Sequence, residues 1–265
     1  MIEALLLGAI GAVAGVMAGL FGIGGGVILV PALIFLFQAH GVSPEIVTQL
    51  AVGTSLATIL FTGSASAWTH HRNGNVDWTA VRGMSLWIVI GTQLGAVLAG
   101  TLHGITLKRL FGLFELVIAA RMLIASEPHP DGKQHSTIGT YTLGGLAIGV
   151  ISSLFGIGGG TLTVPLLVHL LNRPIKIAIG TASAQGVIIA LFGTAGFIYQ
   201  GWGHAGLPAD AWGFVSPKAA LLIAIISTLT APIGASLTHR LRPVSLSRAF
   251  GIFLIFIGMK LVGNF

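Results

Sequence analysis

The stretch GLFGIGGGVILVP, Gly19 to Pro31, returns 134 residues later as SLFGIGGGTLTVP, Ser153 to Pro165. Across Gly15–Pro31 and Gly149–Pro165, 11 of 17 positions are identical. Both copies lie in apolar sequence, where a helix is the default. Glycine is a poor helix former, so four glycines in five positions predict a break in each copy. Pro31 and Pro165 disfavour helical geometry at the valine before them and suit the first turn of a new helix. The expectation is an unwound Gly22–Val30 and Gly156–Val164, each followed by a short half-helix.

What surrounds the phrase decides the fold class. Of 265 residues, 54% are hydrophobic and 8% charged, against about 25% charged in an average soluble domain. So few charges cannot cover the surface of a soluble protein this size. Gly83–Leu102 and Ala219–Leu237 carry no charge at all, and each is long enough to cross a bilayer as a helix. The chain reads as an all-α polytopic membrane protein, multi-pass in the inner (cytoplasmic) membrane. The N-terminus MIEALLLGAIGAVAG lacks a basic leader and reads as a retained first span. There are no cysteines, so disulfides, thiolate metal sites and cysteine nucleophiles are excluded. The net charge of +6 comes from 13 Lys and Arg dispersed over short loops. That dispersal fits topology-setting loops and no nucleic-acid surface.

Five apolar segments precede the polar stretch SEPHPDGKQHST, Ser126–Thr137, and five follow it. The halves align beyond the glycine phrase. AVGTS (Ala51–Ser55) matches AIGTAS (Ala178–Ser183), and LGAVL (Leu94–Leu98) matches IGASL (Ile233–Leu237). TLKRLFG (Thr106–Gly112) matches SLSRAFG (Ser245–Gly251). The division is therefore a first transmembrane repeat over 1–125, a linker over 126–137 and a second repeat over 138–265. Duplicated halves are common in secondary transporters. The relative orientation stays open. Basic segments at Lys108–Arg109 and Arg240–Arg248 favour parallel copies, whereas many transporter halves are inverted.

Nucleotide binding fails on inspection. A dinucleotide fingerprint needs glycine where Val27 and Thr161 stand, and no lysine follows either run as a phosphate loop requires. No zinc pattern, nucleophile elbow or metal-spaced acid cluster occurs, so the chain has no enzyme signature and calls for no cofactor or metal. In a membrane, non-helical backbone survives only where it is buried in protein or lines a wet cavity. Half-helix starts carry positive potential, and glycine lets a ligand approach the backbone. Gly22, Gly24, Gly25 and Gly26 with Gly156, Gly158, Gly159 and Gly160 are thus candidate donors to an anion. Close helix packing is the competing reading of the same glycines. Thr54, Ser55, Thr181, Ser183 and Gln185 are candidate hydroxyl and amide donors, against the alternative that they bond their own helices. His70, His71, Arg72, Glu115 and His169 are candidates for gating or proton coupling.

The duplicated GLFGIGGG…VP phrase, the GTS element and the His71–Trp78 loop, H-x-x-G-x-V-D-W, together resemble the sulfite exporter TauE/SafE family. The likeness covers nearly the whole chain. It implies a permease for small organosulfur anions such as sulfite or sulfoacetate, with the family motif falling on Gly22–Gly26 with Pro31 and Gly156–Gly160 with Pro165. The reading is a secondary transporter working by alternating access in the lipid bilayer, with the anion between the two breaks. Protons are a possible coupling ion and a homo-oligomer a possible assembly. An anion channel and a metal-ion permease are the alternatives.

Overall fold

The computed structural model describes residues 2–21, 25–124, 138–238 and 243–263. Ten helices follow in order: α1 (Ile2–Phe21), α2 (Gly26–Ala39), α3 (Val47–Arg72), α4 (Trp78–Thr101), α5 (Gly104–Ile124), α6 (Ile138–Phe155), α7 (Gly160–His169), α8 (Ile175–Gly201), α9 (Pro217–Thr238) and α10 (Pro243–Val262). Among the described residues there is no strand, only one isolated bridge between Trp212 and Val215. Three helices, α3, α4 and α8, are long and apolar enough to cross a membrane; the other apolar helical stretches are shorter.

The surface fits a bilayer. Leu5, Leu86, Val117, Leu143, Ile252 and Phe256 are exposed, a pattern that water would penalise and lipid tails would not. Trp68 and Trp78 are exposed near one end, and Tyr199, Trp202 and Trp212 near the other. Aromatic residues at both ends are the interfacial belts of a membrane protein.

The helices pair in four ways. α3 and α8 run antiparallel: Gly53 lies against Phe197, and His70 against Gly180. α5 and α10 are also antiparallel, with Gly112 against Gly258 and Ala119 against Gly251. α4 and α6 run parallel, from Gly83 on Tyr141 to Gly95 on Val150 and Ser153. α1 and α9 run parallel, with Gly11 on Ile223 and Gly15 on Ser227 and Thr230. Glycine lines every one of these seams, because only a missing Cβ lets two membrane helices approach so closely.

The glycine phrase does break the chain, but over fewer residues than the prolines suggested. α2 begins at Gly26 and α7 at Gly160, so Pro31 and Pro165 lie inside helices. One left-handed residue makes each start. Gly25 has φ +70° and Gly159 has φ +76°, a conformation that costs other L-residues strain. The Gly25 carbonyl accepts from the N–H of Ile28 and Leu29, and the Gly159 carbonyl from Leu162 and Thr163. Each proline is the sixth residue of its helix and removes the bond that its N–H would make to the carbonyl of Val27 or Thr161. The chain then doubles back: a Cβ on Gly159 would meet Ile148 at 3.8 Å, and Leu166 of α7 packs on Gly144 of α6. With 10 residues, α7 is roughly 15 Å long, about half a bilayer core.

Candidate functional site

The two breaks meet. A Cβ on Gly26 would stand 2.5 Å from the Gly156 carbonyl oxygen and 2.9 Å from Ile157 Cα. Ser55 Oγ donates to that same Gly156 carbonyl at 2.8 Å. The first hydroxyl after GT in α3 thus braces the second break. Gly26, Ser55 and Gly156 form one tightly packed junction at the centre of the molecule. Gly22 and Gly24 lie outside the described residues.

Beside this junction a cavity of about 510 Å³ lies among α1, α3, α7, α8 and α9. Gly158 and Gly160 line it, as do Ser66 and Ser183 from α3 and α8. Ser66 Oγ and Ser183 Oγ are 3.1 Å apart. Thr62 and Thr69 of α3 and Ser227 and Thr228 of α9 add further hydroxyls, and His70 stands at the end of the cavity away from the break. Among the described residues no Asp or Glu lines it. Most of its wall is aliphatic, with Ala18, Ile59, Ile179 and Ala182 among the lining residues. The N–H groups of Gly160 and Thr161 precede the first intrahelical bonds of α7, so that helix start presents donors and the positive end of its dipole.

Of the sequence candidates, Gly158, Gly160, Ser183 and His70 therefore converge on one cavity. The others are placed elsewhere. Thr54 Oγ1 accepts the N–H of Ser216 at 3.0 Å, just before α9. Thr181 Oγ1 accepts the N–H of Asp77 at 2.9 Å, just before α4. These two threonines tie a long helix to the start of a neighbour. Gln185 Nε2 points at Met84 Sδ, 3.3 Å away. His71 packs edge-on to Trp78, with ring centroids 5.4 Å apart, and Arg72 is exposed in the last turn of α3. His169 is exposed in the last turn of α7, at the far end from Gly159. Glu115 is fully buried on α5, and neither carboxylate oxygen has a partner among the described residues. It does not line the cavity.

Sequence reasoning missed Thr62, Ser66, Thr69, Ser227 and Thr228. Their signal was weak, since each is a lone hydroxyl in an apolar helix and bonding to its own helix is the default. Thr62 and Thr69 do bond the carbonyls of Thr58 and Ala65. Four more hydroxyls flank the second break without a partner among the described residues: Ser152, Ser153, Thr161 and Thr163, all buried. At the same places in the first phrase stand Ala18, Gly19, Val27 and Leu29. The two breaks share their turn, but the second is the more polar. Among the described residues no three His, Cys, Asp or Glu side chains come together to hold a metal.

Comparison with known proteins agrees with this architecture. The family model for the sulfite exporter TauE/SafE matches residues 7–261. A protein of Haemophilus influenzae called "Probable membrane transporter protein" is 35% identical over 252 residues, covering 95% of each chain. A "Probable membrane transporter protein" of Methanocaldococcus jannaschii is 29% identical, covering 95% of this chain and 94% of its own. One from Bacillus subtilis is 26% identical and covers 97% of each chain. No solved structure matches the chain. The chain belongs to the sulfite exporter TauE/SafE family of membrane transporters.

Proposed function

We propose that the protein is a secondary transporter that exports a small organosulfur oxyanion, such as sulfite or sulfoacetate, from the cell by alternating access. The observation that carries this reading is the cavity at the second break: helix-start N–H groups and hydroxyls, with no acidic side chain among the described lining residues. A negative ligand finds hydrogen-bond donors and favourable potential there and meets no opposing carboxylate. A volume of about 510 Å³ lies within the range of small-molecule sites. The anion site comprises Gly158, Gly160, Ser66 and Ser183, with Thr62 and Ser227 beside them. Thr54, Ser55 and Thr181 support it from outside.

In the same reading, residues 1–125 and 138–265 are inverted copies joined by the 126–137 linker. Antiparallel α3/α8 and α5/α10 support this, as does the exchange of partners between α1/α9 and α4/α6. A two-fold axis in the membrane plane produces that pattern, and the inverted-repeat transporters share it. The close seam between α4 and α8 favours a transporter over a channel. Outward movement of an anion down a negative-inside potential is favoured by about 2.3 kcal/mol per charge per 100 mV, so a uniporter suffices. Glu115 enters only as a coupling group: Glu115→Gln should flatten the pH dependence of transport and leave anion binding intact.

The test is a thermal-shift titration of purified protein with sulfite, sulfoacetate, taurine, sulfate and chloride. A ligand at 100 times its Kd stabilises the folded state by about 2.7 kcal/mol. Saturable stabilisation by a sulfonate or sulfite, absent with chloride and weakened by Ser183→Ala, is expected. Stabilisation by none of them overturns the anion reading.

A further inference from the structure

We infer that the cavity is a loading vestibule open to the cytoplasmic face, and that the start of α1 and the end of α10 lie on the opposite face. The helix directions separate the molecule into two ends. One end gathers the connections 40–46, 102–104 and 202–216: the Gly104 N–H donates to the Glu45 carbonyl at 2.9 Å, and a Cβ on Gly206 would touch Ile46. The other end gathers 73–77 and 171–174. There Arg173 pairs with Asp77 at 2.8 Å, and Gly180 packs on the Asn75 backbone.

The basic residues divide unequally between these ends. Arg72, Arg82, Arg121, Arg173, Lys176 and Arg248 stand at the second end, in the terminal turns and connections found there. Among the described residues, the first end has Lys108, Arg109, Lys218 and Lys260. Lys and Arg in short loops stay on the cytoplasmic side, and the loops here are short. The Arg173 end is therefore cytoplasmic. α1 starts and α10 finishes at the other end, which places those two helix ends outside.

The cavity opens toward the cytoplasmic end. Its floor is Gly158 and Gly160 at the central junction, and its walls rise to Thr69 and His70 in the last turn of α3 and Ile179 in the second turn of α8. Thr69 and Thr228 are exposed on facing walls. Toward the outer end, the route is blocked where α4 packs on α8. Gln93 Nε2 donates to the Phe192 carbonyl at 2.8 Å, and a Cβ on Gly196 would stand 2.7 Å from Ala96 Cβ. An anion in the cytosol reaches the second break directly, which is the loading step of an exporter. This step rests on the transport reading above; the orientation and the open side do not.

The natural chain has no cysteine, so single-cysteine variants report without background. Asn73→Cys and Ala205→Cys mark the two exposed ends; Ser66→Cys and Thr228→Cys mark the two walls. A membrane-impermeant maleimide applied to intact cells should label Ala205→Cys alone. Applied to inside-out vesicles, it should label Asn73→Cys, Ser66→Cys and Thr228→Cys. Labelling of Asn73→Cys in intact cells overturns the orientation. Labelling of Asn73→Cys from inside with both wall cysteines blocked, or reached only from outside, overturns the vestibule. Sulfoacetate should slow labelling of Thr228→Cys, which lines the cavity but lies outside the anion site. If it does not, with sidedness as expected, the anion reading fails and the vestibule stands.

Discussion

α4 against α8 and α9 against α3 are contacts of the same kind with opposite outcomes. Each begins with a threonine on the long helix accepting an N–H just before its neighbour: Thr181 for α4, Thr54 for α9. α4 then follows α8 to its end, where Gly100 lies against Gln200, with Gly196 on Ala96 between. α9 instead leaves α3, and Ser227 and Thr228 face Thr62 and Ser66 across the cavity. The difference teaches where closure comes from. Glycines at 100 and 196 remove the atoms that would hold α4 off α8, whereas the α9–α3 gap is lined by hydroxyls that prefer water or a ligand to each other. One seam is sealed along its length and the other opens into the cavity.

The largest expected effect lies at the junction between the two. A side chain at Gly26 would strike the Gly156 carbonyl at 2.5 Å and Ile157 Cα at 2.9 Å, backbone that has no rotamer to change. Gly26→Val should abolish monodisperse protein on size exclusion. Gly139→Val, with nothing within 4 Å, should leave the yield unchanged. Equal yields would mean that the two breaks do not meet as described.

A smaller effect separates the two seams directly. A Cβ at Gly196 would sit 2.7 Å from Ala96 Cβ, but one at Gly63, on the cavity side, comes no nearer than 3.5 Å to Ile59. Overpacking costs about 1–3 kcal/mol, whereas a substitution with room to spare stays within about 0.5 kcal/mol. Gly196→Ala should lower the melting temperature and Gly63→Ala should not. If both lower it alike, the seams are equally tight and the comparison fails.

Much of this was legible in the sequence because a few residues carried it. Low charge and long apolar runs declared the membrane, and two GIGGG runs located both breaks. The start of α2 was misplaced, at Pro31 and not Gly26, because the proline signal is local while the turn is made by the left-handed Gly25. Half of the candidate site was hidden for a different reason. Ser183 belongs to a repeated motif, but its partner Ser66 lies 117 positions away on an antiparallel helix, a pairing that no period in the sequence reports. Thr54 and Thr181 stand at the same place in the two GT elements and were read as donors to an anion, but neither lines the cavity. Their chemistry is acceptance from a neighbouring backbone, which the sequence cannot distinguish from donation to a ligand.

That matched pair gives a finer test. Thr54→Val and Thr181→Val each remove one accepted N–H at a helix start, a net loss of about 1 kcal/mol. Equal drops in thermal stability are expected, since the two bonds measure 3.0 and 2.9 Å. A drop at one site alone would show that only one seam depends on its tie.

The smallest effect concerns what the two ties do not share. Asp77 accepts from the N–H of Thr79 and Ala80 as the N-cap of α4, and it also pairs with Arg173; Ser216, before α9, is uncharged. Asparagine caps a helix start as well as aspartate does, so Asp77→Asn isolates the charge. The side chains are 30% and 12% exposed, and a partly exposed pair of this kind contributes up to about 1 kcal/mol and is screened by salt. A slightly lower melting temperature at low ionic strength, recovered in about 1 M salt, would assign the loss to the ion pair. A loss that persisted in salt would assign it to the cap, and the α4 tie would then differ from the α9 tie in geometry and not only in charge.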